Sequence, residues 1–169
     1  RDSNRLETCI QMVQALETRD IASTKMLKLK ISAYLQLGNK YEAFKALKIM
    51  FEEENRDTFV VYNYVILSLE LKRDVNQDVE NALYLLDTSY SYLLLAKLAE
   101  QKENVDIARS LYLKSLIMNQ GENDLIYGNY FNFSITEGRS EEEKIKGITE
   151  NTVAYMQQEN SKKIKIYAI

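Results

Sequence analysis

Chemistry in a protein chain needs a nucleophile, a proton-transfer pair, a metal cluster or a cradle for phosphate, and each leaves a residue pattern that can be sought directly. The chain has no histidine, which removes the commonest general base and metal ligand. Its single thiol, Cys9, falls among Leu6, Ile10 and Val13 on one helical stripe. That is where a packing cysteine belongs; an activated thiolate needs a positive neighbour. The acidic runs Glu52-Glu53-Glu54 and Glu141-Glu142-Glu143 supply carboxylates, but successive helical residues point about 100° apart and do not converge on one substrate atom. They fit solvated faces, or partners of a helix dipole. Asp74, Asn76 and Asp78 alternate as at the opening of a calcium loop, yet Val79 stands at the sixth place, where that loop needs Gly, and the closing Glu is missing. Lys162, Lys163 and Lys165 form a short basic tail without interleaved aromatics, the composition of a solvated end. No catalytic residue, metal ligand or cofactor is expected.

The elements that would position any site are helical. There is no Pro and no Trp, and only five Gly, in 169 residues, so the residues that punctuate strand-and-turn folds are nearly absent. Apolar residues recur at helical spacing over 3–17, 21–37, 41–54, 58–72, 79–88, 90–102, 105–118, 125–137 and 141–158. Expected inward faces include Ile10 and Val13; Met26, Leu29 and Ala33, with Ile31 and Tyr34 alongside; Ala43, Leu47, Met50 and Phe51; Val61, Tyr64 and Val65; Ile107, Ala108 and Tyr112; and Ile145, Ile148, Thr152 and Tyr155. Gly38-Asn39 closes the second helix, Asp124 is an N-cap candidate for the eighth, and 73–78 reads as a loop. Ile164 to Tyr167 alternates, but a lone strand has nothing to pair with. The chain is therefore expected to be one helical-repeat domain over 1–158, with a tail at 159–169. Beginning at Arg1-Asp2-Ser3, with neither an initiator Met nor an apolar leader, it is expected to be a piece of a longer array.

Helix pairs recurring along a chain mark a solenoid. The clearest unit is Tyr92-x-x-Leu95-Ala96-x-x-Ala99, the link Glu103-Asn104-Val105, then Ala108-x-x-x-Tyr112-x-x-Ser115-Leu116. These residues resemble the tetratricopeptide repeat. A second copy runs from Tyr34 and Gly38-Asn39 through Ala43 to Leu47, with Lys30 where the family has an apolar residue. A third, Tyr62-x-x-Val65-Ile66-x-x-Leu69, precedes a wider link to Asn81-Ala82 and Leu86 that is similar to Sel-type repeats. Tyr127-x-x-Tyr130-Phe131 is the weakest copy, and the family's Pro after the second helix is absent throughout. The likeness covers 21–157 and implies an all-α, right-handed α-solenoid of antiparallel pairs, with eight or nine helices.

Such a resemblance implies a non-catalytic protein–protein interaction module, a scaffold or adaptor segment holding a peptide or helix of a protein partner in a concave groove. By register, Lys28, Ser32, Asn63, Lys97 and Asn132 fall at or near groove-facing positions. Most of the twelve tyrosines, Tyr34 and Tyr92 among them, fit inter-helix fillers, while Tyr84 and Tyr90 at a helix junction are freer to serve a surface. The second reading is a peptide-sensing effector domain of a bacterial transcriptional regulator, which would require a DNA-binding domain upstream. A net charge of −3 speaks against direct nucleic-acid binding. No apolar run is long enough for a membrane span. A homo-oligomer through repeat ends is compatible with the class, and one cysteine fits a reducing compartment, with the cytoplasm as default.

Overall fold

The computed structural model describes residues 2–53, 56–119 and 123–136, together with 142, 144–147, 149, 153, 156 and 157. Every regular element among them is an α-helix: α1 Asp2–Glu17, α2 Thr24–Gln36, α3 Lys40–Glu52, α4 Thr58–Glu70, α5 Gln77–Leu86, α6 Ser89–Gln101, α7 Val105–Met118 and α8 Asp124–Thr136. The expected all-α class is observed. The described residues between 142 and 157 are also helical. Ile148, Thr152, Tyr155 and the alternating tail from Ile164 lie outside the described residues. No helix is long and apolar enough to cross a membrane among the residues described.

The helix starts follow from side-chain caps that satisfy orphan amides. Ser23 Oγ accepts from Met26 N–H, Asp57 from Val60 N–H (3.1 Å) and Asn76 from Val79 N–H (3.1 Å). Thr88 and Ser91 form a reciprocal capping box on α6. At α8 the cap is Asn123, whose Oδ1 accepts from Leu125 N–H at 3.0 Å. Asp124, the residue expected there, instead begins the helix itself.

The helix ends repeat one device. After α2, Gly38 adopts φ 74°, Asn39 N–H donates to Tyr34 O (2.8 Å) and Gly38 N–H to Leu35 O (3.1 Å), the paired bonds of a Schellman closure. The same pair of bonds recurs around Asp20, Lys72 and Glu103, at φ 57°, 51° and 59°, although each carries a side chain in a backbone region that favours Gly. Beyond Gly38 and Glu103 the two turns stay equivalent: Lys40 N–H bonds Gly38 O, Val105 N–H bonds Glu103 O, and Ala43 and Ala108 follow at the same offset.

Contacts divide the chain at Val75/Asn76 into two compact units, where the sequence reading carried one array from 1 to 158. In the first, consecutive helices α1 to α4 pack on one another. Their core holds Ile10, Val13, Ile31, Ala43, Leu47, Val60, Val61 and Val65, and Tyr64 packs its ring 5.3 Å from Phe44 and 5.7 Å from Phe51. In the second, α5 packs on α6, α6 on α7 and α7 on α8. Ala96 and Ala108, both fully buried, let α6 and α7 approach closely, and Tyr112, Tyr130 and Phe133 join α7 to α8. Asn119, also fully buried, closes the α7–α8 link by donating to Asn123 O and accepting from Asn123 N–H.

Some expected inward positions face water. Met26 and Leu29 are exposed on α2, Ile107 on α7 and Ile145 beyond α8. The α2 stripe is rotated: Lys30, Ile31, Ala33 and Tyr34 are its buried residues.

Candidate functional site

A cleft of about 480 Å³ opens in the first unit among α1, α2 and α3, within the range that accommodates a ligand or a peptide side chain. Its walls are Gln14, Glu17 and Asp20 from the end of α1 and the following turn; Ala22, Leu27, Lys30 and Tyr34 along α2; and Glu42, Lys45, Ala46, Ile49, Met50 and Glu53 from α3. The α2 residues at 27, 30 and 34 lie three and four apart and so share one helix face.

Lys30 is the unusual member. It is 8% exposed, and its Nζ donates to both carboxylate oxygens of Glu17, at 2.5 and 2.6 Å. In the register set by the equivalent turns at Gly38 and Glu103, its counterpart on α6 is Leu95, a buried apolar residue. A buried ammonium costs several kcal/mol unless paired, so Lys30 is held there by Glu17. One turn on, Gln14 Nε2 donates to Tyr34 Oη at 3.0 Å. Burial pushes the Tyr34 hydroxyl above the usual phenol range, the Glu42 and Glu17 carboxylates add to this, and the Gln14 hydrogen bond opposes it. At the α3 wall, Lys45 Nζ donates to Glu42 Oε1 at 3.1 Å and lies 4.4 Å from the Tyr41 ring centroid. The Glu42 hydrogen bond lifts the Lys45 ammonium above the ordinary lysine value.

The five sequence-predicted residues lie elsewhere. Lys28 and Ser32 occupy another face of α2. Lys28 pairs with Asp57, the α4 cap, and sits 5.8 Å from the Phe59 ring centroid, while Ser32 Oγ donates to Lys28 O. Burial raises the Asp57 carboxyl, but Lys28 and the Val60 and Phe59 amides outweigh it, so Asp57 titrates below its ordinary value. Asn63 Nδ2 donates to Phe59 O at 2.7 Å. Lys28, Ser32 and Asn63 thus gather where α2 meets the start of α4. In the second unit, Lys97 is half-buried on α6. Asn132 is exposed on α8 and lines a shallow depression with Asn123, Asp124, Leu125, Gly128 and Asn129, to which Lys97 does not contribute.

Two further features bear on chemistry. Cys9 is half-buried in an apolar depression with Met12, Val13, Leu16 and Met26. Tyr92 is buried, its hydroxyl donating to Asp87 Oδ1 (2.8 Å) and accepting from Lys114 Nζ (2.6 Å); that hydrogen bond raises the Lys114 ammonium above its usual value. Tyr84, expected to be free, packs edge-on to Tyr92 while keeping 43% of its surface exposed. Among the described residues no group of three or more Cys, Asp or Glu side chains is placed to hold a metal ion.

Sequence reasoning noted Lys30 as a departure from the repeat and Tyr34 as a filler, and passed over Gln14, Glu17, Glu42 and Lys45. The available signal was a lysine in an apolar register with a glutamate at the end of the preceding helix. No protein-family model matches this chain, and neither a curated protein nor a solved structure does.

Proposed function

We propose that this chain is a protein–protein interaction module of tetratricopeptide-like or Sel-like kind, a right-handed α-solenoid segment of a scaffold or adaptor that holds a peptide of its partner, and that the α1–α2–α3 cleft is where the peptide is held. The carrying observation is Lys30: where the equivalent α6 position is a buried leucine, α2 places an ion-paired lysine in the wall of an open cleft. Departures from a repeat's packing rule concentrate at functional positions. The repeat reading is supported by Schellman closures at Gly38, Lys72 and Glu103, spaced 34 and 31 residues apart, close to the tetratricopeptide period of about 34 residues. Mixed aliphatic, amide and charged walls suit a peptide, whose backbone needs hydrogen bonds and whose side chains need apolar contact.

The test is retention of random octapeptide pools on the immobilised chain, read by mass spectrometry. Wild type should retain a subset of peptides. Ala46→Tyr, which fills the cleft from α3, should lose them, as should Ile49→Asp, a change at an exposed wall position. Far-UV circular dichroism should be unchanged in both variants. No retention by wild type, or equal retention by both variants, refutes the assignment.

A further inference from the structure

Resting on the peptide-binding reading above, we propose that the α1–α2–α3 cleft recognises a cationic side chain, lysine or arginine, of the bound peptide, held between Asp20 and Glu53 with a neighbouring aliphatic residue against Leu27, Ile49 and Met50. The charge inventory of the walls carries this. Four carboxylates, Glu17, Asp20, Glu42 and Glu53, face two ammonium groups, Lys30 and Lys45. Both ammonium groups are already engaged inside the cleft, Lys30 with Glu17 and Lys45 with Glu42. Asp20 and Glu53 are exposed and have no ion-pair partner among the described residues. The cleft therefore presents two uncompensated negative charges and no uncompensated positive one.

The backbone acts in the same direction. Asp20 follows the end of α1 and Glu53 the end of α3, so the negative ends of two helix dipoles meet the same mouth. Neither helix carries a basic residue in its last turn to offset them. The opposing α2 N-terminus is closed by Ser23. An anionic guest would meet repulsion from both carboxylates, whereas a guanidinium or ammonium replaces its water with charged acceptors. The aliphatic stem of such a residue suits the wall of Leu27, Ile49 and Met50, with its head reaching the two carboxylates at the rim. Deeper in, the Tyr34 hydroxyl accepts from Gln14, which leaves its own proton for a carbonyl of the guest.

The experiment uses octapeptide pools randomised at every position except a central residue fixed as Arg, Lys, Gln, Glu or Asp, presented to the full chain and to the double variant Asp20→Asn, Glu53→Gln. Asn is chosen at 20 because it tolerates the left-handed backbone there. Wild type should enrich the Arg and Lys pools about tenfold over the Glu and Asp pools, a difference that shrinks as salt rises. The double variant should bring the ratio to about one while its unfolding midpoint stays put. Equal enrichment of all pools, or preference for Glu and Asp, overturns the cationic assignment and leaves peptide binding standing if Ala46→Tyr still abolishes retention. A preference that survives in the double variant overturns the placement at Asp20 and Glu53. Retention of no pool overturns this inference together with the reading beneath it.

Discussion

Replacing Glu17 with Ala should destabilise the first unit far more than replacing the lysine it serves. The Lys30 side chain is 10% exposed and that of Glu17 34%. Removing one partner of a fully buried pair costs about 3–5 kcal/mol, and of an exposed pair about 0–1 kcal/mol. With one partner buried and the other a third exposed, Glu17→Ala should cost about 2 kcal/mol, since Lys30 keeps its charge and cannot reach water without moving α2. Lys30→Leu leaves only a carboxylate that can rehydrate at the rim, and it installs the residue that α6 carries at the equivalent position. Its stability should stay within about 1 kcal/mol of wild type, or rise. For a unit of this size, about 2 kcal/mol lowers the thermal midpoint by roughly 8–16 °C. Thermal and urea unfolding of wild type, Glu17→Ala, Lys30→Leu and the double variant, followed by circular dichroism, measures the cycle. The double variant should resemble Lys30→Leu. If Lys30→Leu is as damaging as Glu17→Ala, or if Glu17→Ala is silent, the buried-ammonium argument is wrong.

Other perturbations follow from the same geometry. Lys72→Gly and Glu103→Gly relieve side chains in the left-handed backbone region and should each raise the urea midpoint, by about 0.5–1 kcal/mol once the glycine's extra unfolded-state freedom is subtracted. Ala108→Leu, at a position with no exposure against α6, should overpack the hairpin and cost about 1–3 kcal/mol in the same assay. The Asp57 carboxyl has a folded pKa below its unfolded value. Its contribution is therefore present above the unfolded pKa of about 3.9 and is lost as pH falls through the folded value. Asp57→Asn, which keeps an N-cap but loses the Lys28 ion pair, should flatten the stability–pH curve of the first unit in that acid window. An unchanged slope there would show that Lys28 does not stabilise the carboxylate.

Helix identity was legible residue by residue, because periodicity and the scarcity of Gly, together with the absence of Pro, act locally. All eight helices, α1 to α8, appear within a few residues of their expected positions, and Ala96 and Ala108 are as buried as their small size in the repeat requires. The turn at Gly38 was legible for the same reason. The closures at Asp20, Lys72 and Glu103 were not, since nothing in an Asp, Lys or Glu announces a left-handed backbone; tertiary packing of the following helix imposes it.

The cleft was the least legible part. An amphipathic stripe specifies which residues avoid water only to within the rotation of the helix, and two neighbours can rotate a face by one residue. On α2 that rotation exposes Met26 and Leu29 and buries Lys30 beside Glu17, a residue thirteen positions earlier in the sequence. Local sequence thus determined that the chain is made of helices and where each begins. Which carboxylate reaches which ammonium, and so where an open wall bears unbalanced negative charge, was decided only by packing α1 and α3 on either side of α2. Coulombic pairing depends on distance through space, which spacing along the chain does not record.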